Sequence, residues 1–117
     1  MKLLIIINDA PYGTEKMYNA LRHAMAIKTD FSEIEIRIFL MSDSVTGALP
    51  QQNTPNGYYN IEKMLTFLIK KGVQIKLCGS CVDARGLSNL KLVEGVEVAG
   101  IADLAKWSVE ADKIICY

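Results

Sequence analysis

The sequence lacks an excess of charge of either sign. Lys and Arg together number 13, and so do Asp and Glu, which leaves no formal net charge over 117 residues. A nucleic-acid-binding surface needs a basic patch that can neutralise phosphates, so we expect no direct nucleic-acid binding. Near-zero net charge also leaves little repulsion between copies of the chain, and it is compatible with self-association.

Long hydrophobic runs are also missing. The apolar run near the amino terminus, Leu3–Ile7, is ended by Asn8 and Asp9. It is shorter than the apolar region of a secretory signal and far below the roughly 18 residues of a membrane span. We therefore expect a cytoplasmic protein with no membrane contact.

Cysteine and histidine are scarce, with three Cys and one His in the chain. An odd number of cysteines in a reducing cytosol argues against a structural disulfide. Structural zinc needs four ligands, and His23 and Cys116 lie in other predicted elements than Cys78 and Cys81. We expect Cys116 in the core and no metal site within one chain, although a site shared between subunits stays open. A single His also gives little support to a Cys-His hydrolase.

Half of the residues are hydrophobic, and their spacing alternates between two patterns. Near-continuous apolar runs are typical of strands covered on both faces, and i, i+3, i+4 spacing predicts helices. The predicted strands are Leu3–Ile7, Ile34–Leu40, Val73–Leu77, Val96–Ala99 and Lys113–Tyr117. The predicted helices are Glu15–Lys28, one that begins after the N-cap Asn60, a short one that begins at Ser80, and Ile101–Ala111. This alternation predicts one α/β domain over residues 1–117, with a parallel sheet and helices on both faces.

Two further local expectations follow from these patterns. The last helix has Ile101, Leu104, Ala105 and Val109 at the spacing of a core-facing side, and Trp107 is also expected in the core. The segment Met41–Tyr59 has no clear period and contains two prolines and two glycines. A loop of this length in a small domain is commonly functional or part of an interface.

Polar residues follow the first three predicted strands. In open parallel sheets, ligands bind outside the carboxyl ends of the strands. We therefore expect the junctions Asn8-Asp9, Ser42-Asp43 and Cys78 to converge. The residues expected at the pocket are Asn8, Asp9, Tyr12, Asp43 and Tyr58.

The segment Cys78-Gly-Ser-Cys81 is the clearest chemical signal. With Ser80 as N-cap and Asp83 completing a capping box, Cys81 would open a helix, and backbone N–H groups would favour a thiolate. Arg85 is close enough in sequence to add positive potential. Alternative interpretations are that the cysteines are small buried hydrophobes, that they form a thioredoxin-type redox pair, or that Asp83 is only a cap and Arg85 its surface partner.

The loop Pro11–Glu15 follows the first strand, where flavodoxin-like proteins hold a flavin phosphate. Only Gly13 and Thr14 are suited to donate to an anion there, and Pro11 has no N–H. The sequence contains neither a Walker loop nor a GxGxxG motif. We therefore expect no cofactor.

Several segments together resemble the DsrE/DsrF-like, sulfurtransferase-related family, and specifically its YchN-type branch. The resemblance covers essentially the whole chain. The matching segments are Asn8-Asp-Ala-Pro-Tyr-Gly13, Phe39-Leu-Met-Ser-Asp-Ser-Val45, Gly57-Tyr-Tyr-Asn-Ile61, Lys76-Leu-Cys-Gly-Ser-Cys81, Asp83-Ala-Arg-Gly86 and Ala111-Asp-Lys113.

The resemblance implies a three-layer α/β/α sandwich around a five-stranded, mainly parallel sheet. It also implies a trimeric or hexameric homo-oligomer with sites near subunit contacts. In the YchN-type branch the implied active residue is Cys78, whereas the Cys-Val-x-Ala pattern of the sulfur-relay branch points to Cys81. We name both and favour Cys78.

These observations predict a cytosolic sulfur-handling protein, either a sulfurtransferase or a sulfur carrier. Cys78 or Cys81 would carry a persulfide. Arg85 and Asp83 would act beside the cysteines, and sulfur donor and acceptor proteins would be the partners. The alternatives are a non-catalytic oligomeric binding module of the same fold and a small-molecule or flavin-binding protein.

Overall fold

The computed structural model describes all 117 residues. Its strands are β1 (Lys2–Ile7), β2 (Glu35–Leu40), β3 (Gln74–Cys78), β4 (Glu97–Ala99) and β5 (Lys113–Cys116). Its helices are α1 (Lys16–Asp30), α2 (Ile61–Lys70), α3 (Gly79–Ala84) and α4 (Ile101–Glu110), with a 3-10 helix at Ser42–Ala48. None of the helices combines the length and the apolar character that a membrane span requires.

All five strands lie in one parallel sheet, in the order β4-β3-β2-β1-β5. The chain moves outward from β1 to β4 and then returns past β1 to place β5 at the opposite edge. Parallel crossovers are right-handed, so crossovers that move in opposite directions place their helices on opposite faces. The predicted α/β/α sandwich with a five-stranded parallel sheet is confirmed.

The larger core lies between the sheet and the face formed by α1 and α2. It is a cluster of 20 buried residues. The apolar residues Met17, Ala20, Leu21 and Ala24 recur at helical spacing along α1, and all four are buried. The predicted N-cap of α2 is also confirmed: Asn60 Oδ1 accepts a hydrogen bond from the Lys63 N–H at 3.0 Å. The capped start of α2 and a continuous apolar layer fix this side of the sheet.

The opposite face, which we call the α4 face, is covered much less completely. Its buried cluster has four members, Leu4, Phe39, Cys78 and Trp107. The Trp107 ring packs edge-on against Phe39 with centroids 6.2 Å apart, and Lys76 Nζ lies 4.6 Å from the Trp107 centroid. Trp107 therefore anchors α4, as expected for a core residue, and an aromatic–aromatic and a cation–π contact hold it.

The predicted inward side of α4 is wrong at its ends. Ile101 is 71% exposed and Val109 is 87% exposed, and Ala105 is exposed as well. Only Leu104 packs inward beside Trp107. Helical spacing identifies an apolar side of a helix, but it does not say whether the chain's own sheet or another surface covers that side.

The edge strand β5 adds to the exposed apolar area of the α4 face. Ile114 is 46% exposed, and Cys116, which pairs with Ile6 in the sheet, is exposed. The expectation that Cys116 is a core residue is wrong for the single chain. The physical reason is that one ten-residue helix cannot cover a sheet of five strands.

The Met41–Tyr59 segment begins with structure that its sequence did not indicate. A 3-10 helix of seven residues, Ser42–Ala48, buries Val45 and Ala48. Ser44 Oγ donates to the carbonyl of Ile7 at 2.7 Å, so the segment is attached to the end of β1. The rest of the segment is irregular, as expected.

The cap of α2 gives a test of the fold. Replacing Asn60 by Ala removes both the cap and the bond from Asn60 Nδ2 to the Gln52 carbonyl, whereas Asn60→Ser removes only the latter. We expect Asn60→Ala to lower the free energy of unfolding by about 1 kcal/mol relative to Asn60→Ser, measured by urea denaturation. Equal stability of the two variants would contradict the capping role.

Candidate functional site

The carboxyl ends of the first three strands meet at one edge of the sheet. The Ser42 N–H, just after β2, donates to Cys81 Sγ at 3.2 Å, and Ser42 Oγ donates to Asn8 Oδ1, just after β1, at 3.5 Å. Cys78 is the last residue of β3. Residues that are distant in sequence therefore form one polar junction, which we call the cysteine junction.

Cys78 itself caps α3, and this corrects the expected cap at Ser80. Cys78 Sγ accepts the N–H of Cys81 at 3.4 Å and lies 3.3 Å from Ser80 Oγ. The strand passes into the helix without a loop because Gly79 has no side chain, and a Cβ there would lie 3.1 Å from the Ala99 carbonyl oxygen. The cap is therefore two residues earlier than predicted, and Asp83 lies in the last turn of α3, outside any capping box.

The environment of Cys78 favours its thiolate. Burial by itself raises the pKa of Cys78, but hydrogen bonds from the Cys81 and Ser80 side chains and from their backbone N–H groups outweigh it. The net result is a pKa below the ordinary thiol value, because donors directed at a sulfur stabilise its charged form. Cys78 is only 9% exposed, so bulk water contributes little to this stabilisation.

The environment of Cys81 has the opposite effect. Burial raises the pKa of Cys81, and so do the hydrogen bond with Cys78 and the charge of Cys78. The Ser42 N–H and the positive charge of Arg85 lower it, but the net shift is upward. The pKa values of the two cysteines are therefore shifted in opposite directions, and the thiolate is favoured at Cys78 over Cys81.

Ser42 is a residue of this site that the sequence did not identify. Its φ of 53° is in the left-handed region, which costs energy for a residue with a side chain. This conformation directs its N–H to Cys81 Sγ, and the next turn is fixed by Ser44, whose hydroxyl bonds to the carbonyls of Ile7 and Met41. No sequence pattern predicts that a backbone N–H such as that of Ser42 will donate to a cysteine sulfur.

Arg85 is joined to Asp43 across the junction. Arg85 Nε and Nη2 donate to Asp43 Oδ1 at 3.0 and 2.8 Å, and Arg85 Nη1 donates to the Cys81 carbonyl at 3.1 Å. Exposed ion pairs add little stability, so the main effect of these bonds is geometric. They connect the end of α3 to the 3-10 helix that carries Ser42.

Two of the expected acidic residues lie beside other partners. Asp9 approaches Thr14 Oγ1 at 3.5 Å and Lys16 Nζ at 3.7 Å. Asp83 accepts a hydrogen bond from the Ser88 hydroxyl. Neither carboxylate makes a hydrogen bond or an ion pair with a group of the cysteine junction.

The expected tyrosines also lie apart from the cysteines. The Tyr12 hydroxyl donates to Gln52 Oε1 at 2.6 Å and accepts the Ile61 N–H at 3.0 Å, so it fastens the irregular segment to α2. Tyr58 stacks on Tyr59 with ring centroids 4.4 Å apart. Tyr12 and Tyr58 are therefore not part of the cysteine junction, because the loops that contain them lie over α1 and α2.

The cysteine junction lies at the surface and does not line any of the five cavities of the chain. No group of three or more His, Cys, Asp and Glu side chains is arranged to hold a metal ion. The one histidine, His23, pairs through Nδ1 with the Tyr117 hydroxyl at 2.7 Å. The chemistry that the junction offers is therefore that of two unequal thiols.

Comparison with known proteins finds relatives that are similar to this chain over nearly its full length. The chain is 44% identical to protein YchN of Escherichia coli, over 99% of this chain and 98% of that one. It is 38% identical over its full length to an uncharacterized protein of Methanocaldococcus jannaschii. The crystal structure of the E. coli YchN protein superimposes with a TM-score of 0.95 and covers 100% of this chain and 99% of that one.

A more distant structure shows only the shared fold. The protein of unknown function MTH1491 from Methanobacterium thermoautotrophicum has a TM-score of 0.80 at 17% identity, over 99% of this chain and 98% of that one.

The model of the DsrE/DsrF-like family matches residues 1–117. The chain therefore belongs to the DsrE/DsrF-like family.

Proposed function

We propose that this protein carries sulfane sulfur as a persulfide on Cys78, in a cytosolic sulfur relay. The DsrE/DsrF-like family is associated with sulfur relay. The observation that carries the proposal is the set of donors directed at Cys78 Sγ: the Ser80 hydroxyl and the Cys81 N–H and thiol. A thiolate is the form of cysteine that attacks sulfur, and these donors lower the pKa of Cys78 and so favour it.

The reaction is a thiolate exchange. The Cys78 thiolate attacks the outer sulfur of a persulfide donor, R–S–SH. A new S–S bond forms as the donor's S–S bond breaks, the outer sulfur keeps its hydrogen, and the donor leaves as the thiolate R–S⁻. In the second step a nucleophile of the acceptor attacks the same outer sulfur and Cys78 leaves as a thiolate, so neither step needs an oxidant.

Cys81 is proposed to act as the proton-holding neighbour. Its pKa is raised while that of Cys78 is lowered, so its thiol hydrogen stabilises the Cys78 thiolate at rest. The Ser42 N–H, which bonds to Cys81 Sγ, holds it in that position. Arg85 and Asp43 are proposed as positioning residues, since their ion pair joins the two segments that carry these groups.

The remaining predicted residues have weaker support. Asn8 reaches the junction only through Ser42, and Asp9 and Asp83 have other partners. We keep Asn8 as a residue at the mouth of the junction. Donor and acceptor proteins remain the proposed partners because the cysteine junction lies at the surface and lines no cavity that could enclose a small ligand.

We further propose that copies of the chain associate through the α4 face, as the trimer or hexamer that the resemblance implied. The exposed apolar residues on α4 and β5 support this, because exposed apolar area of this kind marks interaction surfaces. Their exposures are 71% for Ile101, 87% for Val109 and 46% for Ile114. Cys78 packs on the same face beside Trp107, so an interface there would lie close to the cysteine junction.

The difference in pKa between the two thiols gives the first prediction of the proposed function. Alkylation of Cys78 by iodoacetamide should persist to lower pH than that of Cys81, and it should fall only as pH drops through the lowered pKa of Cys78. Ser80→Ala should move the Cys78 profile to higher pH, because it removes a donor to the thiolate. Ser88→Ala, whose hydroxyl bonds to Asp83, is the matched control. The measurement is site-resolved mass spectrometry of alkylation against pH.

If Cys78 and Cys81 were both alkylated slowly and with the same dependence on pH, the thiolate assignment would be contradicted. That result would favour the non-catalytic binding module, in which the cysteines serve only in packing.

The persulfide itself gives the second prediction. After incubation with a persulfide donor, the intact protein should gain the mass of one sulfur atom, and the label should be located on Cys78. Cys78→Ser should abolish the adduct, whereas Cys116→Ser should retain it, because Cys116 lies at the end of β5 outside the junction. Cys81→Ser should form the adduct more slowly below neutral pH, since it removes the thiol that stabilises the Cys78 thiolate.

An adduct that remains in the Cys78→Ser protein but is lost in Cys81→Ser would transfer the role to Cys81. An adduct in neither the native protein nor any variant would exclude the proposal.

The α4 face gives the third prediction. Val109→Asp should dissociate the oligomer toward the 13.0 kDa monomer, because a buried unpaired charge at an apolar interface is strongly unfavourable. Ala26→Asp places the same charge at an exposed position of α1, on the opposite face, and should leave the assembly intact. Analytical ultracentrifugation measures both. A monomeric native protein, or the same effect from both variants, would exclude this interface.

A further inference from the structure

Four tyrosines form a continuous aromatic group on the outer surface of α1 and α2. Tyr18 and Tyr59 are stacked with centroids 4.2 Å apart, and Tyr59 and Tyr58 are stacked at 4.4 Å. Tyr12 flanks the group, 5.7 Å from Tyr59. Tyr18 comes from α1, and the other rings come from the two loops that precede α1 and α2, so three chain segments build the group.

Tyr58 is the outer end of this stack. Tyr59 is its nearest ring, the Tyr12 centroid lies farther away at 6.5 Å, and 52% of Tyr58 is exposed. Tyr59 is already packed between Tyr18 and Tyr58, and it contacts the large core. The Tyr58 ring therefore adds little to the core, although it places a flat apolar surface in solvent.

The stack borders a cavity of about 550 Å³ whose lining carries positive charge only. Of its twelve lining residues, Arg22 and Lys63 are cationic and none is acidic. Neither cation takes part in an ion pair: the Arg22 guanidinium lies 5.2 Å from the Tyr18 ring centroid, and its Nε donates to Asn19 Oδ1 at 2.9 Å. Two unpaired cations beside a ring stack select against a cationic ligand and favour an anion.

The other polar side chains of the lining are uncharged. The side-chain hydrogen bond with Tyr58, followed by burial, raises the pKa of Tyr59 to about 12. The Tyr59 hydroxyl therefore keeps its hydrogen at neutral pH and adds no negative charge to the cavity. Asn56 also lines this cavity, and its side-chain amide can donate to oxygen atoms, whereas the Asn60 amide already bonds to Gln52 and Lys63.

We propose that this cavity binds a flat aromatic ring that carries an anionic group, with the ring stacked on Tyr58 and the anion between Arg22 and Lys63. The volume falls within the range of small-molecule sites and accommodates a ligand of mononucleotide size. A nucleoside monophosphate and an aromatic carboxylate share this chemistry. The site is separate from the cysteine junction, because neither cysteine lines the cavity.

Calorimetric titration of the full chain tests the proposal with two pairs of probes. Adenosine monophosphate is compared with adenosine, and 2-naphthoate with its neutral amide. We expect at least one anion to bind saturably and about tenfold more tightly than its neutral partner, as one charge-assisted contact provides. Which anion binds more tightly distinguishes the nucleotide from the carboxylate source, and inorganic phosphate alone should not compete.

Variants then assign the binding to this cavity. Arg22→Gln should weaken the anion about tenfold and remove its preference over the neutral probe, whereas Lys91→Gln, an exposed cation outside the cavity, should change neither. Tyr58→Ala should weaken both members of a pair, because it removes the stacking surface, and circular dichroism checks that it folds. Equal affinity for charged and neutral probes, no loss in Arg22→Gln, or no saturable binding by any probe would overturn the proposal.

Discussion

The common direction of the five strands is the constraint on which the rest of this structure depends. Because β1, β2 and β3 all end at the same edge of the sheet, the residues that follow them meet, although they are more than thirty positions apart in sequence. Ser42 reaches Asn8 on one side and Cys81 on the other. The same direction delivers Cys78 directly to the start of α3, where the sulfur becomes the cap of the helix. An antiparallel arrangement would send one of these ends to the far side of the molecule.

The cysteine junction shifts the pKa values of two thiols, three residues apart in sequence, in opposite directions. Cys78 Sγ accepts the Cys81 N–H and lies beside the Ser80 hydroxyl, whereas Cys81 Sγ accepts one N–H, from Ser42. Burial alone would raise the pKa of both sulfurs. The number and direction of hydrogen bonds decide at which sulfur the thiolate is favoured, and the left-handed conformation of Ser42 is the local strain that completes this arrangement.

The two faces of the sheet differ because the crossovers are distributed unequally. Three crossovers move in one direction and one moves back, so α1 and α2 cover one face fully while α4 alone covers the other. The fully covered face contains the main core and supports the tyrosine stack on its outer surface. The partly covered face holds Trp107 and Cys78 together and leaves apolar side chains in solvent. The proposed assembly and the proposed sulfur chemistry both use this second face, whereas the proposed anion site uses the first.

The sequence by itself determined the elements and their class. Apolar runs and helical spacing identified five strands and the long helices, and Asn60 identified the start of α2, because these signals depend on neighbours within a few residues. It also singled out Cys78 and Cys81 from the change of pattern after β3. Only the tertiary structure decided that Cys78 is the cap in place of Ser80, that Ile101, Val109 and Cys116 are exposed, and that Tyr58 joins a ring stack instead of the cysteines. Each of these depends on the backbone conformation of a junction or on which surface covers a residue, and both are set by contacts between distant segments.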